Sequence, residues 1–329
     1  MTMTRKELQS AARQAFGNGE LASDADKSWN LIAEMGWLMI SVPETQGGLG
    51  LGREAAGVIH TECGRALVRG PVIAQMLVIE ALSAVDDFPG RDDLLARALG
   101  GEVMTASLSK SGTLDCVPDA DKASNVLVVD ADEVRLVPLD GAHIAARTTW
   151  DTTRRMFDVH PMYGGKLLAT GSRAHALADR IEMQLLFALA GDSLGGASAI
   201  LEMTVDYLKL RHQFGRPLAM FQALKHRVAD MKTWLSAAEA LFWNRANSAD
   251  TALVEIAALK AKATGIYRAI AEDAIQLHGG IGLSMEHHCH LFLKRATLNC
   301  ALGGDADHWE EWVGRQTLDA LVRTETPGE

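Results

Sequence analysis

The sequence predicts a mainly α chain in three parts: an N-terminal helical domain over residues 1–103, a small β-domain over 104–170, and a C-terminal antiparallel four-helix bundle over 171–329. Three observations predict it. Aromatics make up only 5% of the residues while Ala, Leu, Glu and Met are frequent, a balance that favours helix. Apolar residues recur at i+3/i+4 spacing through the first hundred residues and again from Arg173 onward. Between these stretches β-branched residues cluster instead.

Taken in order, Trp29, Ile32, Ala33 and Gly36 recur at helical spacing, and the run stops at Val42-Pro43-Glu44. Gly47 to Gly52 then forms a loop; no strand precedes it and it lacks G-x-G-x-x-G spacing, so it is no dinucleotide fingerprint. Helical patterns resume over Glu54–Leu67 and Pro71–Leu82. Asn125–Asp130 and Val134–Leu139 flank the turn Asp130-Ala131-Asp132-Glu133 as a hairpin, with strand-like pieces at His143–Ala146 and Phe157–His160. Leu177, Ile181, Leu185 and Leu189 then lie one turn apart, as do Leu224, Val228, Met231, Leu235 and Phe242 at i+3/i+4 spacing. A third helix runs from about Thr251 to Leu277, and a fourth region carries Trp309, Trp312 and Val313 on one stripe. Four long amphipathic segments with short connections make a bundle.

The net charge of −10 argues against nucleic acid and anionic membranes as main partners. No apolar run reads as long enough to span a bilayer, and Met1 to Glu7 holds no apolar leader region. Cys63, Cys116, Cys289 and Cys300 form no C-x-x-C pair and read as reduced thiols of a cytoplasmic protein.

Two segments carry candidate chemistry. In Arg211-His212-Gln213-Phe214-Gly215-Arg216-Pro217-Leu218, running on to Phe221-Gln222-Ala223-Leu224-Lys225 and Ala229-Asp230-Met231, Gly215 and Pro217 end one helix and turn the chain into the next. Arg211 and Gln213 stand at that helix end, where a planar guanidinium suits a pyrophosphate. An isolated arginine there equally complements the helix dipole. In Ala274-Ile275-Gln276-Leu277-His278-Gly279-Gly280-Ile281-Gly282, paired glycines let backbone N–H groups approach a phosphate or ribose, or simply cap the helix.

Together these segments resemble the R-x-Q-F-G-x-P…F-Q…K…A-D-M and A-x-Q-x-x-G-G-x-G signatures of the acyl-CoA dehydrogenase family. Leu31-Ile32-Ala33-Glu34-Met35-Gly36-Trp37…Pro43-Glu44…Gly47-Gly48-Leu49-Gly50 is similar to that family's first-domain pattern, so the resemblance covers nearly the whole chain except its middle. It implies the three-part fold above, FAD-dependent α,β-dehydrogenation of a CoA thioester, and a dimer in which the signatures reach across to the neighbouring subunit's FAD. By this resemblance Arg211, Gln213, Phe214, Gln222, Gln276, Gly279 and Gly280 contact a partner's FAD, and His278 lines the nucleotide site.

The family reaction needs a carboxylate within reach of the substrate α-carbon and donors on the thioester oxygen. Family spacing puts the usual glutamate at Gly303, and the alternative base on the first bundle helix at Leu185; neither accepts a proton. Met183 and Leu186 occupy positions that hold CoA-contacting acid and base groups in typical members. The T/S-E-P-x-A-G-S-D stretch is also missing: Ala106-Ser107-Leu108-Ser109 leads into a shortened β-domain, and Thr148-Thr149-Trp150-Asp151 is a poor match to the flavin tryptophan.

What survives is the part a neighbour uses. The resemblance thus implies a subunit without its own catalytic base, similar to the short, degenerate subunits of heteromeric dehydrogenases acting on CoA thioesters of steroid side chains. A longer catalytic homologue would supply the flavin site, base and acyl-CoA pocket, as a heterotetramer. One alternative is a self-sufficient homodimer using Asp305 or Glu182 as base; another is a flavin-free scaffold that kept only the bundle.

Asp305, Asp307, Glu182 and Glu286 otherwise read as solvated or capping carboxylates, and no histidine stands out to activate Cys63 or Cys116. His287-His288-Cys289-His290, with His278 and His308, matches no usual zinc spacing. Side chains at i, i+1 and i+3 do not converge from one helix, so the sequence assigns no metal.

Overall fold

The structure is a computed structural model describing residues 4–17, 21–85, 88–107, 114–130, 132–160 and 164–325. Helix α1 (Arg5–Ala15) starts at a capping box: Thr4 Oγ1 accepts the Glu7 N–H at 3.4 Å and Glu7 Oε2 accepts the Thr4 N–H at 2.8 Å. Asp24 caps α2 (Ala25–Glu34) by accepting the Asp26 and Lys27 N–H groups. Helices α3 (Gly52–Arg65) and α4 (Val72–Ala84) fall close to their expected spans, and α5 (Arg91–Leu99) follows.

Among the described residues seven short strands come next: β1 (Thr105–Ala106), β2 (Val117–Pro118), β3 (Asn125–Val129), β4 (Glu133–Pro138), β5 (His143–Arg147), β6 (Met156–His160) and β7 (Lys166–Thr170). They form two sheets, ordered β1-β3-β4-β7 and β2-β6-β5, with β1 parallel to β3 and the remaining pairs antiparallel. The expected hairpin is β3–β4, in register Asn125↔Pro138 through Val129↔Val134. Ala131 of its turn, and Leu108 and Ser109, lie outside the described residues. Strands β1 and β2 are too short for period-2 alternation to show, and they escape the sequence reading. Val117, Val126, Val137, Phe157 and Val159 form the apolar layer joining the sheets.

The C-terminal region is built on α6 (Ser172–Leu210), 39 residues and about 58 Å long. By length and composition this helix could cross a membrane, which corrects the sequence reading. However, 83% of its most apolar 18-residue stretch is buried by the other helices, so it serves as the core helix of the bundle. It packs against α3, where a Cβ on Gly64 or Gly195 would lie 1.9 Å from the Asp192 carbonyl oxygen or 1.8 Å from that of Thr61. Helices α7 (Gln222–Asn247) and α8 (Leu253–His278) match the second and third expected segments. The fourth place is divided between α9 (Cys289–Ala301) and α10 (Ala306–Glu325), because Gly303 and Gly304 turn the chain with φ of +66° and +93°. Lys260 reaches this break from α8 and donates to the carbonyls of Cys300 and Gly304.

Candidate functional site

The two signature segments are neighbours. Helix α6 ends at Leu210 and passes into a two-strand turn, β8 (His212–Gln213) and β9 (Arg216–Pro217). Tyr207, one turn before Arg211, stacks on the His278 ring with centroids 4.4 Å apart, and its hydroxyl donates to the His278 carbonyl at 3.2 Å. Aromatic packing therefore fixes the Arg211 hairpin against the end of α8.

Arg211, Gln213, Gln222, Gln276, Gly279 and Gly280 are all exposed. Phe214 stands at the hairpin tip, 89% exposed, with φ of +52°. The Arg211 guanidinium has no ion-pair partner among the described residues. His278 is set apart from this group: it is buried, and its Nδ1 lies 2.8 Å from the Ala274 carbonyl oxygen. Gly279 needs its φ of +65°, but Gly280 has ordinary φ, and a Cβ there would meet nothing within 4 Å. Among the described residues, nothing crowds a side chain at 280.

The two positions at which family spacing would put a base, Leu185 and Gly303, are also brought together, this time inside the protein. A Cβ on Gly303 would lie 3.2 Å from Leu185 Cδ2 and 3.4 Å from both Leu186 Cδ2 and Leu189 Cδ1. Leu185 and Leu186 are buried, and Met183 Sδ lies 3.7 Å from Arg53 Nη2. A carboxylate in this place would face leucines, where its charged form is heavily penalised. Neither substitute candidate enters the gap. Asp305 is exposed and caps α10, with Oδ1 accepting the His308 N–H at 2.9 Å; Glu182 is half-buried on α6.

Beside the vacant position lies a cavity of about 30 Å³, room for a water molecule, lined by His60, Asp119, Arg154, Asp192, Arg295 and Leu302 among others. Its wall is a buried polar network that sequence reasoning missed, because its members come from distant segments. Arg295 Nε donates to Asp151 Oδ2 at 3.0 Å and Nη1 to Asp192 Oδ2 at 3.1 Å, while Nη2 donates to the Val68 carbonyl at 3.0 Å and to Thr153 Oγ1. Arg154 Nη2 lies 3.0 Å from Asp192 Oδ1, and Asn299 Nδ2 donates to the same oxygen at 2.7 Å. Two arginines thus balance two aspartates. Burial alone would raise the Asp192 carboxyl, but Arg154 and Arg295 outweigh it and hold the group ionised. Trp150, next in sequence to Asp151, is 81% exposed. Cys63 shares the cavity with His60, one turn earlier on α3, contrary to the sequence expectation; burial pushes its thiol up, so it remains an inert thiol.

Two groups on this cavity titrate in opposition. Burial lowers His60 to about 4, so the unfolded chain binds the extra proton first and stability falls as pH drops from 6.5 towards 4. Burial raises Asp119 to about 6, so the folded chain binds the proton first and stability rises as pH drops from 6 towards 4. Each effect is on the order of 2–3 kcal/mol. Relative to the unsubstituted chain, Asp119→Asn is expected to lose stability more steeply on acidification through this window, and His60→Gln less steeply. Urea denaturation at pH 4 to 7 checks both signs.

Of the residues expected at the nucleotide, all but His278 are therefore exposed, while Gly303 is closed in by Leu185, Leu186 and Leu189. Models of the acyl-CoA dehydrogenase N-terminal domain and C-terminal domain match residues 2–87 and 187–318. The chain belongs to the acyl-CoA dehydrogenase family. The matched segments leave the β-strand region between them. The acyl-CoA dehydrogenase IpdE2 of Mycolicibacterium smegmatis is 31% identical over 297 residues, covering 89% of this chain and 88% of that protein. Among solved structures, a steroid acyl-CoA dehydrogenase, the Tcur3481-Tcur3483 G363A variant, superposes with a TM-score of 0.85 at 24% identity, covering 97% of this chain and 98% of the other. The ChsE4-ChsE5 complex of Mycobacterium tuberculosis gives 0.84 at 20% identity, covering 97% and 99%. Both likenesses establish the fold, and family membership places the chain among oxidoreductases acting on acyl-CoA.

The signature chemistry fits FAD on the outer surface: an unpaired guanidinium, exposed amides and an open glycine turn. The cavity lined by Arg295 and Leu302, at about 30 Å³, is itself too small for a flavin ring.

Proposed function

We propose that this chain is the base-less subunit of a heteromeric, FAD-dependent acyl-CoA dehydrogenase of lipid or steroid catabolism. It lends the Arg211 hairpin and the Gly279-Gly280 turn to FAD held by a longer catalytic homologue, within a heterotetramer. The observation that carries this reading is the split between surface and interior: Gly280 is open to an outside ligand, whereas Gly303 is closed by Leu185, Leu186 and Leu189. The two-component complex among its structural neighbours supports the same assembly.

In this reading Arg211 neutralises and orients a pyrophosphate, the exposed amides of Gln213, Gln222 and Gln276 satisfy nucleotide polar groups, and Phe214 excludes water at the hairpin tip. FAD, when bound, would supply the hydride acceptor for the substrate β-carbon. This chain moves no proton: the α-proton goes to a carboxylate of the partner. Holding the cofactor in one orientation is its contribution to rate.

The test is the flavin absorbance of the chain expressed alone and then with the longer homologue. A colourless chain alone and a yellow complex with one FAD per pair of unlike chains is the expected result. A yellow, active homodimer would overturn the proposal and return attention to Asp305 and Glu182.

A further inference from the structure

The turn between α8 and α9 gathers three ligating side chains that the sequence reading kept apart. His287 and His288 precede α9 and do not lie within it, so the argument that one helix cannot converge its side chains does not apply. His278 comes from the end of α8, His287 from the turn, and Cys289 from the first residue of α9. One candidate ligand atom from each lies within 4.8 Å of the others. The His278 and His287 rings have centroids 4.7 Å apart, and Cys289 Sγ lies 3.8 Å from His278 Nδ1.

A second, independent observation comes from the hydrogen bonding. His278 is only 3% exposed, and its Nε2 has no hydrogen-bond partner among the described residues. The Ala274 carbonyl, 2.8 Å from Nδ1, fixes the tautomer with the proton on Nδ1 and leaves a lone pair on the buried Nε2. A backbone carbonyl on the far nitrogen is the usual support of a metal-ligating imidazole. The His278 and His287 rings and the Cys289 thiol thus share one corner of the fold in which the Nε2 lone pair has no partner among the described residues, a donor set that suits a cation.

We propose that His278, His287 and Cys289 form a site for one divalent, zinc-type transition metal ion. Two imidazoles and a thiolate suit zinc, and tetrahedral coordination sets such ligand atoms about 3.3–3.7 Å apart. Coordination by the half-buried His287 would replace the 3.2 Å contact in which its Nδ1 accepts the Cys289 N–H. Binding forms the metal–sulfur bond and releases the thiol proton to solvent, so uptake strengthens as pH rises. The ion would clip the Gly279–Leu283 turn to the start of α9 and stiffen the segment that carries Gly280.

The test uses the full-length chain, stripped with chelator and titrated with Co(II) as a spectroscopic stand-in. One Co(II) per chain with a thiolate-to-metal charge-transfer band is expected, absent in Cys289→Ser and weakened at least tenfold in affinity in His287→Gln. Cys300→Ser should behave as the unsubstituted chain does. A folded, unsubstituted chain showing no charge-transfer band would overturn the proposal, as would a band that persists in Cys289→Ser. None of these readouts involves flavin, so the outcome is independent of the functional reading above.

Discussion

Arg211→Ala is expected to weaken FAD binding in the co-expressed complex by about 10- to 100-fold, corresponding to loss of about 1.5–3 kcal/mol from a charge-assisted contact. The side chain projects from an exposed hairpin without an ion-pair partner among the described residues, so its removal costs the fold little. The backbone geometry remains, because the Arg211 N–H donates to the Tyr207 carbonyl at 2.8 Å and its carbonyl accepts the Leu218 N–H at 2.8 Å. Arg211→Lys should recover only part of the affinity, since an ammonium lacks the planar fork that matches a pyrophosphate. Flavin retention during gel filtration, with melting curves of each variant, separates cofactor loss from unfolding. Full flavin occupancy in Arg211→Ala would favour the flavin-free scaffold, which has no use for this guanidinium.

Arg295→Leu is expected to destabilise the protein by about 3–5 kcal/mol, the usual consequence of removing one partner from a buried ionic cluster. Arg295 is 1% exposed and bonds to Val68 of the N-terminal region, Asp151 and Thr153 beside the strands, and Asp192 of the core helix. Its loss leaves two buried aspartates facing Arg154 alone and the Val68 carbonyl short of a donor. Chemical denaturation monitored by tryptophan fluorescence checks the magnitude. Adding Asp151→Asn should return part of the loss, because it removes one uncompensated charge. A cost below about 1 kcal/mol would mean that the network tolerates solvent and does not tie the three regions together.

Helical periodicity carried much of the architecture. The stripe Leu177-Ile181-Leu185-Leu189 is buried as its spacing requires, since a helix places every third or fourth residue on one face; of the second stripe Met231, Leu235 and Phe242 are buried and Leu224 and Val228 half-buried. Strands β1 and β2 were illegible because two residues are too few to alternate, and their pairing comes from partners elsewhere in the chain. The division of the fourth bundle position was written in Gly303-Gly304 but was masked by reading Gly303 only as a vacant base position. The membrane-length apolar character of α6 was missed because scattered Gly, Asp and Glu hid an overall apolar helix.

By itself the sequence determined the family signatures, their order and the absence of a carboxylate at residues 185 and 303, because these depend only on residue type and spacing along one chain. Tertiary structure alone decided that Leu185 and Gly303 face one another, that Arg295 seals the space beside them, and that His278 turns inward towards Cys289 while Gly279 and Gly280 face out. Each of these pairs residues from different segments, and only packing of the helices against one another sets which side chains end within reach.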